Sequence, residues 1–181
     1  MYISKEKVKK LSVNFRSAID QAKELGEFDH YNDFSFFPSR CCGNVSYLLA
    51  YYLRLHGIET IWVSYRRADW THAWLVVKDD RVSIPAPHVI SFPDNIRKVF
   101  VQYGNPYYKT NTEFSFYREQ DLRNGLIIDI TGDQFDDYGL PVYVGFKDHF
   151  HNTFEFVHAV DFITLSDERL SEIYKAIEVY L

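Results

Sequence analysis

Apolar residues recur every three to four positions in two early segments of the chain, a spacing that predicts amphipathic helices. The first segment runs from Ser4 to Leu25 and is followed by Gly26, a residue type that often ends a helix. Its predicted buried face consists of Val8, Leu11, Phe15, Ala18, Ile19, Ala22 and Leu25. The second segment runs from Gly43 to His56, and Gly57 follows it. Its predicted buried face consists of Val45, Leu48, Leu49, Tyr52 and Leu53. We therefore expect an N-terminal helix within residues 1–26 and a central helix after it.

A third helix is predicted in the last part of the sequence. Ser166 precedes a segment with acidic residues in its first turn, where the helix dipole favours negative charge. Its predicted buried face consists of Leu170, Ile173, Tyr174 and Ile177. Helices are therefore expected near both ends of the sequence as well as at its centre.

Short runs of β-branched and aromatic residues between the second and third helices predict strands. Two such runs are "IETIWVSYR" and "THAWLVVKD", and two more, "GLIIDITGDQF" and "LPVYVGF", are joined by a Gly-Asp turn signal that predicts a hairpin. The segment "RVSIPAPHVISF" contains two prolines, which favours an edge strand or a loop. Further on, "KVFVQY" resembles a strand and "SFYREQDLR" a short helix. The predicted fold class is α+β.

The composition is that of an ordinary globular protein. The 181 residues fit a single domain, residues 1–181, and the 46% of hydrophobic residues are enough for a buried core. The net charge of -5 argues against a nucleic-acid partner, since such binding depends on clustered Lys and Arg. No run of about 18 apolar residues and no leader pattern is seen, so we expect a cytoplasmic protein without membrane association.

Two adjacent cysteines, Cys41 and Cys42, lie at the start of the central helix. Adjacent cysteines do not form an ordinary structural disulfide, so both thiols are expected to be reduced, as in the cytosol. A helix N-terminus favours the thiolate form of a cysteine, which is the nucleophilic form. The alternative is that these thiols are small buried hydrophobic side chains.

A thiol nucleophile also requires an imidazole as its base and a third group that orients the imidazole. His72 lies in the predicted strand "THAWLVV", and Asp129 lies in the later strand "LIIDIT". A carboxylate among apolar residues is costly to bury without a partner, and an imidazole on a neighbouring strand would supply one. His72 is alternatively a hydrogen-bonded strand residue, and Asp133 is a rival for the third role. Gln134 either orients a substrate or holds a turn.

Three motifs together, "FPSRCCGNVSYLLAYYLRLHGIET", "THAWLVV" and "GLIIDITGDQF", resemble the transglutaminase-like branch of the papain-like cysteine enzyme superfamily. The resemblance covers residues 38–135. It implies a papain/transglutaminase-like fold, in which a central helix carrying the nucleophilic Cys packs on an antiparallel sheet with N- and C-terminal helices. By position it implies Cys42 as the nucleophile, His72 as the base and Asp129 as the orienting acid.

The resemblance also implies the reaction class, which is acyl chemistry on a protein or peptide amide through a thioester. The superfamily includes peptidases, glutamine deamidases and acyltransferases. His72 and Asp129 are 57 positions apart, so residues 80–125 are expected to form an insertion between their strands. No Gln lies a few residues before Cys42, so any oxyanion hole must use the Cys42 amide and another donor.

Two further histidines, His149 and His151, lie two residues apart in "KDHFHNTF". On a strand both rings would face the same side, as in part of a metal site. No Cys or carboxylate cluster with ligand spacing accompanies them, so we expect neither a metal nor another cofactor. The alternative to an enzyme is a binding or regulatory module that keeps the fold while the three residues are inert.

Overall fold

The computed structural model describes residues 3–79, 84–91, 113–161, 165 and 167–181. Within these ranges the chain forms four α-helices, which are α1 (Lys5–Glu24), α2 (Cys42–Leu55), α3 (Glu119–Leu122) and α4 (Glu168–Glu178). Short 3-10 helices cover Phe34–Phe36, Gly132–Gln134 and His151–Thr153. The strands are β1 (Thr60–Arg67), β2 (Trp70–Val77), β3 (His88–Ser91), β4 (Glu113–Phe116), β5 (Ile127–Asp129), β6 (Tyr143–Gly145) and β7 (Glu155–Asp161).

Five of the strands form one antiparallel sheet in the order β6-β5-β2-β1-β7, and β3 pairs with β4 in a separate two-stranded sheet. In the larger sheet β2 lies between β1 and β5, with Val63 opposite Trp74 and Ile128 opposite Leu75. The α+β class and the antiparallel sheet are therefore confirmed. The order also makes the strands of His72 and Asp129 direct neighbours.

The two faces of the sheet pack against different layers. Leu75 and Val77 of β2 belong to the apolar cluster that also contains the buried residues of α1, α2 and α4. Trp74 and Val76, which alternate with them, belong to a second cluster with aromatic residues from the later loops. Because successive strand residues face opposite sides, β2 contributes to both clusters. From His72 to Val77, both faces of this strand are buried.

Capping residues begin the two terminal helices. The Ser4 hydroxyl accepts a hydrogen bond from the Lys7 amide at the start of α1. The Asp167 carboxylate accepts one from the Leu170 amide at the start of α4. Such caps satisfy amide groups that have no acceptor inside the helix. The predicted Ser166 lies outside the described residues, and Asp167 is the cap.

Several details differ from the sequence-based expectation. Leu25 was expected on the buried face of the first helix, but it is 63% exposed because α1 ends at Glu24. Strand β7 was not predicted. The predicted strand "KVFVQY" lies outside the described residues, as does much of the expected insertion at 80–125, whereas the short helix in "SFYREQDLR" corresponds to α3. In the described part of the chain, no helix is both long and apolar enough to cross a bilayer.

Candidate active site

The two cysteines lie where the chain enters α2. Arg40 has a left-handed backbone (φ 66°), an unusual conformation for a residue with a side chain, and its guanidinium stacks on the Phe36 ring at 4.5 Å. Cys41 occupies the N-cap position and Cys42 is the first residue of α2. Cys41 is buried, and burial raises the pKa of its thiol. Cys42 is only partly buried.

The first turn of α2 is fixed against the sheet. The Ser46 hydroxyl donates to the carbonyl oxygen of Ala73 (3.1 Å), next to His72 on β2. The Trp62 indole N–H donates to the carbonyl oxygen of Gly43 (3.2 Å). The Cys42 Sγ lies 3.8 Å from the carbonyl oxygen of Thr71, the residue before His72. These contacts hold the Cys42 thiol beside the first residues of β2.

His72 is fully buried and its ring contacts two other side chains of the site. Its Nε2 lies 2.7 Å from Asp129 Oδ2. Burial alone would lower the pKa of His72, but the Asp129 charge and hydrogen bond raise it, and so does a hydrogen bond with Cys42. The result is a pKa of about 9. The structure thus brings Cys42, His72 and Asp129 together.

Asp129 is the last residue of β5 and is also fully buried. Its Oδ1 accepts a hydrogen bond from the Thr131 amide (2.9 Å), and its Oδ2 accepts from His72. Burial would raise the pKa of Asp129, but the His72 charge and hydrogen bonds from His151, His72 and Thr131 hold it below the ordinary value. The carboxylate is therefore ionised at neutral pH.

Aromatic rings surround the imidazole and separate it from water. The His72 ring centroid lies 5.0 Å from that of Phe135, 5.4 Å from Trp74 and 5.6 Å from Phe154. In such an apolar environment the charge of Asp129 acts on His72 with less screening than it would have in water. This environment explains how one carboxylate offsets the effect of burial on His72.

A comparison with known proteins gives no relative from which a function could be transferred. No protein-family model matches the chain, and neither the curated proteins nor the solved structures contain a significant match. The resemblance to transglutaminase-like enzymes therefore stays a prediction. Any function must therefore be inferred from the geometry of this chain alone.

The two other sequence candidates, Asp133 and Gln134, lie in the 3-10 turn after Asp129. Asp133 does not contact His72 but forms a bidentate ion pair with Arg16 of α1 (2.7 and 2.8 Å). The Gln134 Nε2 donates to the Thr131 carbonyl oxygen (3.0 Å) and lies 3.1 Å from His72 Nδ1. Gln134 therefore holds the turn and also contacts the imidazole.

Arg16 fixes the segment that carries the site. Besides Asp133, its guanidinium donates to the carbonyl oxygens of Ile130 (2.8 Å) and Pro141 (3.1 Å). Sequence reasoning missed this residue, because an Arg in an amphipathic helix is ordinarily a solvated charge. The sequence contains one weak indication that Arg16 is buried. Residue 16 lies three positions before Ile19 and six before Ala22, so it borders the apolar face of α1.

The pair His149 and His151 does not form the arrangement considered for a metal. His149 is exposed, whereas His151 is fully buried in a 3-10 helix, not in a strand. Among the residues that the structure describes, no group of three or more His, Cys, Asp or Glu is placed to hold a metal ion. His151 instead contacts Asp129, a role that the sequence did not indicate.

Proposed function

We propose that this chain is a cysteine-dependent enzyme with a papain/transglutaminase-like fold that acts on a protein or peptide amide through a thioester. The observation that carries the proposal is the double contact of His72. One ring nitrogen, Nε2, is bound to the buried Asp129 carboxylate at 2.7 Å, and the same ring interacts with the Cys42 sulfur. A nucleophile, a base and an orienting acid in hydrogen-bonding contact are the components of thiol catalysis.

Before the acylation step, the proton of the Cys42 thiol already lies on His72 Nδ1, because the raised pKa keeps the imidazole protonated at neutral pH, and Nε2–H is bound to Asp129. The sulfur forms a bond with the carbonyl carbon, and the electron pair of the C=O bond moves to oxygen. When the tetrahedral intermediate collapses, the C–N bond breaks and His72 returns its proton to the leaving nitrogen. Asp129 fixes the tautomer and stabilises the imidazolium without taking the proton itself.

In the second step, an acceptor resolves the thioester. Water or an amine gives a proton to His72 as it attacks the carbonyl carbon, the C–S bond breaks, and Cys42 is regenerated. Water gives net hydrolysis or deamidation, and an amine gives acyl transfer. The amide of Cys42, as the first residue of α2, has no acceptor within the helix and is one donor for the oxyanion.

The arrangement of elements also supports the proposal. Cys42 begins a helix that packs on the sheet, and His72 and Asp129 follow on the adjacent strands β2 and β5. Neighbouring strands hold two side chains in a fixed relation, which a catalytic hydrogen bond requires. The contrast between the buried Cys41 and the partly exposed Cys42 favours Cys42 as the nucleophile.

The test is acylation by p-nitrophenyl acetate, followed by intact mass and peptide mapping. We expect a stoichiometric acetyl group on Cys42 that hydroxylamine releases, and at least about 100-fold slower acylation in His72→Gln. Cys41→Ser is the matched control and keeps the rapid acylation. Acetylation of Cys42 at the same rate with and without His72 would contradict the proposal and favour a binding module with inert residues.

A further inference from the structure

The Asp129 carboxylate has a second imidazole partner, and this partner is outside the proposed catalytic set. His151 Nε2 lies 3.3 Å from Asp129 Oδ2, the same oxygen that His72 contacts. The other nitrogen of His151, Nδ1, lies 2.6 Å from Asp148 Oδ1. His151 is fully buried, so its ring nitrogens bind partners within the protein and not solvent. A buried imidazole therefore bridges two carboxylates.

The hydrogen bonds of Asp148 favour its ionised form. Its Oδ1 accepts from the backbone amide of His151 (3.0 Å) as well as from the ring, and its Oδ2 accepts from the Tyr138 hydroxyl (2.8 Å). Partial burial would raise the pKa of Asp148, but these hydrogen bonds hold it below the ordinary value. Asp148 and Asp129 thus both face His151 as acceptors.

Ionised carboxylate oxygens accept hydrogen bonds and cannot donate them. A neutral imidazole has one N–H and one lone pair, so it satisfies only one of two carboxylates and directs its lone pair at the other. The protonated ring donates at both nitrogens. The positions of the Asp129 and Asp148 oxygens therefore fit an imidazolium at His151.

The other groups facing the His151 ring are weakly ionising or neutral. The ring packs between Tyr143 of β6 (5.0 Å), Tyr138 (5.4 Å), Trp74 of β2 (5.0 Å) and Phe150 (5.2 Å). Together with Asp129 and Asp148, these are the groups recorded against the ring in the part of the chain that the structure describes. The charges next to His151 are consequently the two carboxylates.

We propose that His151 is a positioning residue, held as an imidazolium between Asp129 and Asp148, that fixes the Asp129 carboxylate toward His72 and moderates its field there. The inference rests on the proposed function, because it assigns His151 to the same reaction. The contacts form a series, His72–Asp129–His151–Asp148, in which positive and negative groups alternate. The positive charge of His151 therefore weakens the field of the carboxylates at His72, and the negative charge of Asp148 strengthens it.

This arrangement gives opposite expectations for two variants. His151→Gln removes a positive charge, so the field of the two carboxylates on His72 becomes stronger. Asp148→Asn removes a negative charge, so the field becomes weaker. The pH at which His72 loses its proton should rise in the first variant and fall in the second, by about one pH unit for a charge at this range. A merely structural role would loosen Asp129 in both variants and lower that pH in both.

The experiment is an ¹⁵N NMR titration of the histidine rings from pH 5 to 10, with resonances assigned through the single variants. In the wild type we expect both His151 ring nitrogens to remain protonated at neutral pH. The two variants should move the His72 midpoint in opposite directions. His149→Gln is the matched control, because this exposed histidine lies in the same loop and should leave the midpoint unchanged.

A neutral single tautomer of His151 in the wild type would overturn the inference, and this result needs no folded variant. Shifts of the His72 midpoint in the same direction would also overturn it. Acylation of Cys42 is measured on the same samples and judges the proposed function separately. Failed acylation of Cys42 together with a charged His151 would reject the proposed function, and with it the positioning of a catalytic group by His151, while the contacts of His151 with the two carboxylates would stand.

Discussion

The sulfur atoms of Cys41 and Cys42 lie in different surroundings although the two residues are adjacent. Cys41 is 1% exposed and belongs to the apolar cluster beneath α2, with its Sγ 3.7 Å from the Pro38 carbonyl oxygen. Cys42 is partly exposed and interacts with His72. The turn at Arg40 and the start of the helix place one thiol in the core and the other at the site.

Serine substitutions should separate the roles of the two cysteines. Cys41→Ser places a more polar group in an apolar cluster and should lower the free energy of unfolding by about 1–3 kcal/mol. Cys42→Ser should change it by less than about 0.5 kcal/mol but remove the reactive thiol. Urea unfolding and mass mapping of alkylated protein measure the two effects. Equal loss of stability in both variants would be inconsistent with these environments.

Asp129→Asn should shift the pH dependence of catalysis. The Asp129 charge and hydrogen bond raise the pKa of His72 against the effect of burial, so without the charge burial dominates. The alkaline limb of Cys42 acylation, expected near the wild-type pKa of about 9, should move to lower pH. At neutral pH the rate should fall by about 100-fold or more.

The matched control for this prediction is Asp137→Asn, which removes an exposed carboxylate paired with Arg67. It should leave the limb in place, because solvent screens this charge from the site. An unchanged limb in Asp129→Asn would show that Asp129 does not control the protonation of His72.

The stability of the fold should depend on pH through His72. Because its pKa is raised from 6.5 to about 9, His72 contributes stability that is fully present below pH 6.5 and is lost as pH rises to about 9. The stability difference between wild type and His72→Gln should therefore fall by roughly 3 kcal/mol across this window. Urea unfolding at pH 6 and pH 9.5 measures it. A difference that stays constant would contradict the raised pKa.

Arg16→Met should destabilise the protein and reduce activity together. The substitution leaves Asp133 half-buried without its cation and frees the turn that follows Asp129, at a cost of about 3 kcal/mol. Arg54→Met is the control, since Arg54 forms an exposed pair with Glu59 (3.3 Å) that is worth less than about 1 kcal/mol. Thermal unfolding and Cys42 acylation report the two effects. Similar losses in both variants would refute the anchoring role of Arg16.

The helices and the central strands were predictable because each buries a continuous face. The periodicity of α1 and α2 matches their buried residues closely, and β1 and β2 are rich in β-branched and aromatic residues. Strand β7 was missed because it is an edge strand whose residues Glu155, Val157 and His158 are exposed. Exposure of successive residues removes the alternation that identifies a strand.

The contact between His72 and Asp129 was foreseeable from one constraint, that an aspartate inside an apolar strand needs a partner. The contacts of His151 with Asp129 and Asp148 were not, since the two-residue spacing of His149 and His151 was considered only for the case of a strand. The structure places a 3-10 helix there instead. Tertiary packing of irregular segments determines such contacts, and local sequence patterns carry little information about it.

The most direct test of the central claim is the rate of iodoacetamide alkylation of each cysteine from pH 4 to 9, located by mass spectrometry in wild type and His72→Gln. If His72 and Cys42 form a catalytic pair, Cys42 should react rapidly below pH 7 in the wild type and lose that advantage without the imidazole, while Cys41 stays protected until unfolding. Equal reactivity of Cys42 with and without His72 would contradict the account.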